Sequence, residues 1–249
     1  EMHRPSSFER VMAFDQSVGG AVARGALRRW FRADIVGAEV LPRSGAALLV
    51  GNHAMLGLDG VVLGTLVREA TGRYVRFLGD RNLWRIPVVS DVLTAFGAQP
   101  GEQQSAQQLL AQGELVGVYP GGAVDSFKLT PRERYRLQWG QRAGFARLAM
   151  RAGVPIVPVA GLGIDEMYTV WAREPVLGRR LFGSAHYDLP LAFGAWGTPL
   201  PRRVPLRFEV LCPIDTSGDP DDPEAVSRVR EATRVALASR LDRYRTTGR

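Results

Sequence analysis

The run Ala46-Ala47-Leu48-Leu49-Val50 is short, wholly apolar, and ends in Gly51-Asn52-His53-Ala54-Met55-Leu56-Gly57-Leu58-Asp59-Gly60. An apolar run of this length, closed by a glycine-bearing loop, reads as a strand buried in a sheet. The apolar stretch from Val61 to Val67 reads as the helix that follows. A strand, a loop and a helix in that order place His53 and Asp59 beyond the carboxyl end of a strand, where open α/β sheets bind ligands. The spacing constrains how the two side chains relate. An offset of six residues on one continuous helix is roughly 600° of rotation and about 9 Å of rise, so the pair would not meet there. They meet only if His53 lies in a loop that folds back on the start of the helix, and Gly51 and Gly57 give such a loop freedom. Two readings are open from this segment alone. His53 is a proton-transfer group oriented by Asp59, or Asp59 is a helix N-cap and His53 a satisfied strand-end histidine.

The rest of the chain repeats the alternation. Ser6 to Phe31 reads as an amphipathic helix with Phe8, Val11, Met12, Phe14 and Val18 on its apolar side, broken or bent at Gly19-Gly20, with Arg24, Arg28, Arg29 and Arg32 near its end. Such a helix docks on the domain or lies on a lipid interface. Strands are expected at Ile35–Val40, Arg73–Leu78, Leu115–Tyr119, Val154–Ala160 and Val204–Leu211, and Pro155 and Pro158 point to an edge or a strand start for the fourth of these. Helices are expected at Gln103–Gln112, Trp139–Ala152 and Pro223–Tyr244, the last with proline in its first turn. Trp84–Val89 and Val92–Phe96 read as a connection, and Glu166–Arg203 as loop-rich. Alternating strands and helices argue for an α/β fold, a layered sheet flanked by helices. No break in composition divides the chain, so one domain is expected at residues 35–249, preceded by an N-terminal amphipathic helical segment at residues 1–34.

A second loop at a strand end is Tyr119-Pro120-Gly121-Gly122-Ala123-Val124-Asp125. Backbone N–H groups unshielded by a Cβ cradle anions and oxyanions, although most Pro-Gly-Gly turns are only turns. A basic segment follows, with Lys128, Arg132, Arg134 and Arg136, and its plain reading is a solvated charged face.

Composition narrows the function classes. The 249 residues carry a formal net charge of +7, which favours an anionic partner. The basic residues are scattered and no recognition motif accompanies them, so nucleic acid is not expected as that partner. The single cysteine, Cys212, excludes an internal disulfide framework and a cysteine-rich zinc site. No stretch reaches the roughly 18–20 uninterrupted apolar residues of a membrane span, and no signal-peptide-like apolar segment opens the sequence.

Taken together these segments resemble the lysophospholipid acyltransferase superfamily from about Leu48 to Asp215, most closely the branch with diacylglycerol acyltransferases and phytyl ester synthases. Gly51-Asn52-His53 with Asp59 is similar to the family's catalytic histidine-aspartate motif. Phe96-Gly97-Ala98 before the glutamine-rich helix is similar to its second block. Tyr119-Pro120-Gly121-Gly122 with Asp125 resembles the Pro-Gly-Gly motif of that branch, and Trp139 through Gly144-Phe145, then Val154-Pro155-Ile156-Val157-Pro158, resembles its fourth block. Three departures stand out. Five residues rather than four separate the histidine from the aspartate, as in the neutral-lipid branch. Gly121 stands where the family often has glutamate, and Gln99-Pro100-Gly101-Glu102 lacks the arginine that commonly follows the second block and helps bind a phosphate-bearing acceptor. Lys128, Arg134 or Arg136 are candidates to replace it.

The resemblance implies an O-acyltransferase moving a fatty acyl group from a thioester to a hydroxyl of a lipid: a lysophospholipid, an acylglycerol or a long-chain alcohol. The donor implied is acyl-CoA, a co-substrate, with acyl carrier protein as the other candidate; no metal or cofactor is expected. His53 is the expected general base and Asp59 its orienting partner. Gly121, Gly122 and Asp125 are expected at the oxyanion or acyl-donor loop, with backbone beyond Asn52 as the other oxyanion candidate. Lys128, Arg132, Arg134 and Arg136 are expected to meet the phosphates of CoA. The competing reading is a non-catalytic lipid- or membrane-binding protein on the same fold. A cytoplasmic location is expected, peripheral on the cytosolic face of a membrane with an anionic surface.

Overall fold

The computed structural model describes residues 7–85, 90, 93–94, 98–128, 130–174 and 189–248. Its centre is strand β2, Ala47–Gly51, buried along its whole length. The apolar run that ends at Gly51 has layers on both sides: Ala47 and Leu49 join one core cluster, Leu48 and Val50 the other. That period of two, with both faces apolar, is what a central parallel strand requires.

Among the described residues, seven strands form one sheet in the order β1-β9-β6-β2-β5-β3-β4. In chain order they are β1 (Asp34–Val36), β2, β3 (Val75–Gly79), β4 (Gln99–Pro100), β5 (Leu115–Val118), β6 (Ile156–Leu162) and β9 (Arg207–Val210). Every pairing is parallel except β6 with β9. Two further strands, β7 (Thr169–Glu174) and β8 (Leu189–Phe193), form a separate antiparallel ribbon, where the sequence was read as loop-rich.

Helices α1 (Ser7–Asp15), α2 (Val18–Phe31) and α3 (Leu58–Thr71) are followed by α4 (Gln103–Ala111), α5 (Gly122–Ser126), α6 (Gly144–Ala152) and α7 (Pro223–Thr247). One face of the sheet is covered by α3 and the end of α2, through Val62, Leu63, Leu66, Val67 and Phe31. The other is covered by α4, α6 and α7, through Ala106, Leu109, Leu110, Phe145, Leu148, Ala149, Val226, Val229 and Leu237. Asp222 caps α7 by accepting from the N–H groups of Glu224 and Ala225. The expected layered α/β architecture is therefore present. No helix among the described residues is long and apolar enough to cross a membrane.

Four local expectations are corrected. The N-terminal helix breaks at Gln16-Ser17 rather than at Gly19-Gly20, because Ser17 caps α2 by accepting from Gly20 N–H. Gly20 is needed for closeness instead: a Cβ there would lie 2.2 Å from the Phe14 carbonyl oxygen. The strand expected to Val40 ends at Val36 and gives way to a 3-10 turn at Ala38–Val40. The helix expected from Trp139 begins at Gly144. Finally, the edge reading of β6 gives way to the strand-start one: the strand lies between β2 and β9 and opens at Ile156, immediately after Pro155. Its Pro158 is tolerated because the residue's ladder groups point towards the end of β9, where its carbonyl accepts from Leu211 N–H. Phe96 and Gly97, and Arg179, Arg180, Leu181 and Phe182 of the 166–203 stretch, lie outside the described residues.

Candidate active site

The sheet's central strands, β2 and β5, end side by side in parallel register, Val50 beside Val118. The two loops singled out in the sequence therefore leave the sheet at the same end. After β2 the chain makes a 3-10 turn, Met55–Gly57, in which Leu56 and then Gly57 take left-handed backbone angles (φ 64° and 70°). Leu56 is unusual there, since a side chain disfavours that region. This double reversal folds the loop back on the start of α3. The freedom comes from Gly57; Gly51 matters for closeness, because a Cβ on it would lie 3.0 Å from the Val159 carbonyl oxygen and 3.2 Å from the Tyr119 ring.

The fold-back brings His53 Nδ1 to 3.0 Å from Asp59 Oδ2. The Asp59 side chain is fully buried, whereas His53 retains 20% exposure. Asp59 is thus not the N-cap of α3, a position held by Gly57. An ionised carboxylate only accepts hydrogen bonds, so the imidazole proton belongs on Nδ1 and Nε2 is left as the basic nitrogen. Asn52 pins the loop from behind: its side chain donates to Gly161 O at 2.9 Å and accepts from Gly161 N–H at 2.8 Å, locking the end of β2 to β6.

The loop after β5 contributes differently from expectation. Asp125 lies in α5, fully buried, and accepts from His53 N–H at 3.2 Å and from Gln138 N–H at 3.0 Å. It is a brace joining the two loops. Burial pushes its pKa up, partly countered by Lys128 and the two N–H donors. Gly121 is required by it, since a Cβ at 121 would sit 2.1 Å from Asp125 Cβ. Gly122 N–H is already bonded to Tyr119 O at 3.0 Å. So the N–H groups of His53 and Gly122, two of the expected oxyanion donors, are both occupied by the protein itself. Arg142, which the sequence reading passed over, holds the same loop by donating to Gly121 O at 2.6 Å and Pro120 O at 3.1 Å.

The four basic residues separate. Lys128 is withdrawn from solvent, with 4% of its side chain exposed, and donates to both oxygens of Asp165 at 3.0 and 3.1 Å. Burial would lower its pKa, but Asp125 and Asp165 together outweigh that and hold it above the ordinary lysine value. A cation placed so is an internal counter-charge to Asp165 and Asp125, rather than the solvated group that the expected contact with CoA phosphates calls for. Arg134 is half-buried and 3.9 Å from Glu166. Arg132 and Arg136 are exposed. Asp165 itself was missed; only its place 37 residues beyond Lys128 in the chain, which no local pattern links, makes it a partner. Tyr119, which opens the Pro-Gly-Gly loop, stacks on the His53 ring with centroids 4.2 Å apart and planes within 11°.

Comparison with known proteins adds four findings. A family model described as Acyltransferase matches residues 32–161. An uncharacterized protein of Mycobacterium tuberculosis is 35% identical over 241 residues, covering 90% of this chain and 67% of that protein. The human protein named DGAT1/2-independent enzyme synthesizing storage lipids is 28% identical over 216 residues, covering 86% of this chain and 62% of that one. This chain therefore spans about two thirds of the length of these relatives. Among solved structures, the 1-acyl-sn-glycerophosphate (LPA) acyltransferase PlsC from Thermotoga maritima matches with a TM-score of 0.51 at 15% identity, over 94% of this chain and 92% of that one, a likeness of fold.

Proposed function

The chain belongs to the acyltransferase family, and from that membership we propose that it moves a fatty acyl group from acyl-CoA to a hydroxyl of a lipid acceptor, with His53 as general base and Asp59 as its orienting partner. The observation that carries this reading is the 3.0 Å contact between a fully buried carboxylate and a part-exposed imidazole at the carboxyl end of the central strands. An alcohol is a poor nucleophile near neutral pH and needs a positioned base. His53 Nε2 takes the acceptor's proton as its oxygen attacks the thioester carbonyl. Asp59 holds the tautomer and stabilises the imidazolium. The tetrahedral intermediate then expels the CoA thiolate, which recovers the proton from His53 and leaves as the thiol. Attack is direct, so no acyl-enzyme is required.

We assign a neutral acceptor, a mono- or diacylglycerol or a long-chain alcohol, as a substrate alongside any lysophospholipid. Supporting this are Gln99 in place of the usual arginine and the burial of Lys128, which removes one of the residues that would replace it. The human relative's name, with its storage lipids, agrees with this. Arg132 and Arg136 are left as the exposed candidates for CoA phosphates.

The test is thiol release from a long-chain acyl-CoA across an acceptor panel. His53→Ala, folded, should lose about 10²- to 10⁴-fold in rate, the usual value of general-base assistance, and Asp59→Asn should also be severely impaired. Wild-type turnover by folded His53→Ala would overturn the mechanism. Strict use of lysophosphatidate would overturn the neutral acceptor, and absence of thiol release with every acceptor would favour a lipid-binding role on this fold.

A further inference from the structure

Three near-parallel rings lie beneath the candidate site. His53 and Tyr119 stack at 4.2 Å, and Tyr119 and Phe77 at 5.8 Å with planes within 4°. The space for them is made by glycines on three elements. A Cβ would meet the Tyr119 ring at 3.2 Å from Gly51 in β2 and its hydroxyl at 3.4 Å from Gly60 in α3. Gly64 in α3 and Gly117 in β5 would meet the Phe77 ring at 3.4 and 2.6 Å. An imidazole tethered only through Nδ1 still swings about that bond; a flat stack removes the swing.

A second observation is independent of the stack. Asp59 uses Oδ2 for His53, while its Oδ1 is buried with no hydrogen-bond partner among the described residues. The Tyr119 hydroxyl is buried and unpartnered in the same sense. One group is an acceptor and the other a donor. No hydrogen bond joins them, but the charge of Asp59 reaches the hydroxyl: burial first, then that charge, hold the Tyr119 hydroxyl well above the ordinary tyrosine range. It is therefore a neutral donor at any working pH.

We propose that Tyr119 is the positioning residue of this site: its ring clamps the His53 imidazole, and its hydroxyl closes onto the second oxygen of Asp59. Tyr119 touches neither reacting atom and acts through the pair. A phenylalanine supplies the clamp without the donor; a leucine supplies neither. The other charged groups near the pair are Asp125, which accepts from His53 N–H, and Lys128, whose charge reaches Asp59; both are unaltered in these variants.

The kinetic arm of the test rests on the acyl-transfer reading, and the spectroscopic arm does not. The chain has three histidines, His3, His53 and His186, so the His53 ring signals in histidine-labelled protein are assigned by their loss in His53→Ala. In Tyr119→Phe the ring shifts persist, but the His53 Nδ1–H proton signal moves, because Asp59 without a second donor concentrates its charge on that hydrogen bond. In Tyr119→Leu the His53 ring signals also lose the upfield displacement of a stacked ring. With activity in hand, Tyr119→Phe lowers kcat several-fold at unchanged KM for the acyl donor. A Tyr119→Phe Nδ1–H signal superimposable on wild type overturns the donor role, and unmoved ring signals in Tyr119→Leu overturn the clamp. If wild type transfers no acyl group, the functional reading fails while the spectra still decide the role of Tyr119.

Discussion

An ammonium with 4% of its side chain exposed needs counter-charge, and Lys128 has Asp165 at 3.0 Å and Asp125 at 3.9 Å. Removing the cation leaves two buried carboxylates facing each other, a change that costs about 3–5 kcal/mol when one partner of a buried pair is deleted. Lys128→Met should therefore lower the melting temperature sharply, while Arg132→Ala and Arg136→Ala stay within about 0.5 kcal/mol of wild type, as exposed substitutions do. Normal melting of Lys128→Met with weakened acyl-CoA binding would restore the donor-contact role. The pH dependence has a definite sign. The folded-state pKa of Lys128 is raised above 10.5, so its contribution is complete below that value and is lost as pH rises through the folded-state pKa. The network should hold through neutral pH and fail at the alkaline end. His53 and Asp59 were legible in the sequence because residue type, spacing and a preceding apolar run all constrain them locally. The burial of Lys128 was not legible, because its partner is brought in by the fold from far along the chain, and a basic run looks like a solvated face until that fold-back is known.

The loop after β5 is shaped by one tight approach. An alanine at 121 would put its Cβ 2.1 Å from Asp125 Cβ and 2.7 Å from its Cγ. Asp125 is fully buried and tied to the backbones of His53 and Gln138, so it has no room to retreat. Gly121→Ala should cost at least the 1–3 kcal/mol typical of overpacking, and activity should fall with it, because Asp125 carries the His53 backbone. Gly25→Ala is the contrast: its Cβ meets nothing within 4 Å inside α2, and it should stabilise by roughly 0.5–1 kcal/mol through helix propensity. Equal melting temperatures for the two variants would refute the close approach. At this scale most strands and helices were readable from apolar period and length. What was not readable was where Pro158 sits in the sheet, since its tolerance depends on β9 ending beside it, and that the 166–203 stretch holds a ribbon, since its two strands flank a long insertion.

The whole molecule presents an apolar surface that the core does not use. On the β7–β8 ribbon Val170 and Ala192 pack inward, while Trp171 (77% exposed), Leu191 and Phe193 stay exposed, followed by Trp196 at 83% and Leu200. The segment leaving the ribbon packs on α2, where Trp30 Nε1 donates to Pro201 O at 3.3 Å. That helix lines an open hollow of about 650 Å³ with Arg24, Arg28, Arg29 and Arg32. Arg24 is paired with Asp15 and Arg28 with Glu69, but Arg29 and Arg32 have no ion-pair partner among the described residues. Part of the expected lipid-facing side of the N-terminal helix is instead spent on docking, since Phe8 packs edge-on to Tyr74 and under the Arg76 guanidinium; Phe14, Val18 and Val22 remain exposed. With a net charge of +7, we propose that the chain collects its lipid acceptor by docking on an anionic membrane, arginines meeting headgroups and the ribbon's aromatic side chains entering the interface. Each basic residue near such a surface adds about 1 kcal/mol, screened by salt, whereas buried apolar side chains add a part that salt does not remove. Flotation with liposomes should therefore show binding that rises with anionic lipid and weakens only partly at high salt. Trp171→Ser with Trp196→Ser should remove the salt-resistant part, and Arg29→Glu with Arg32→Glu the salt-sensitive part. No association with anionic vesicles at low salt would rule out the docking, and unchanged salt resistance in the double tryptophan variant would move the inserting element away from the ribbon.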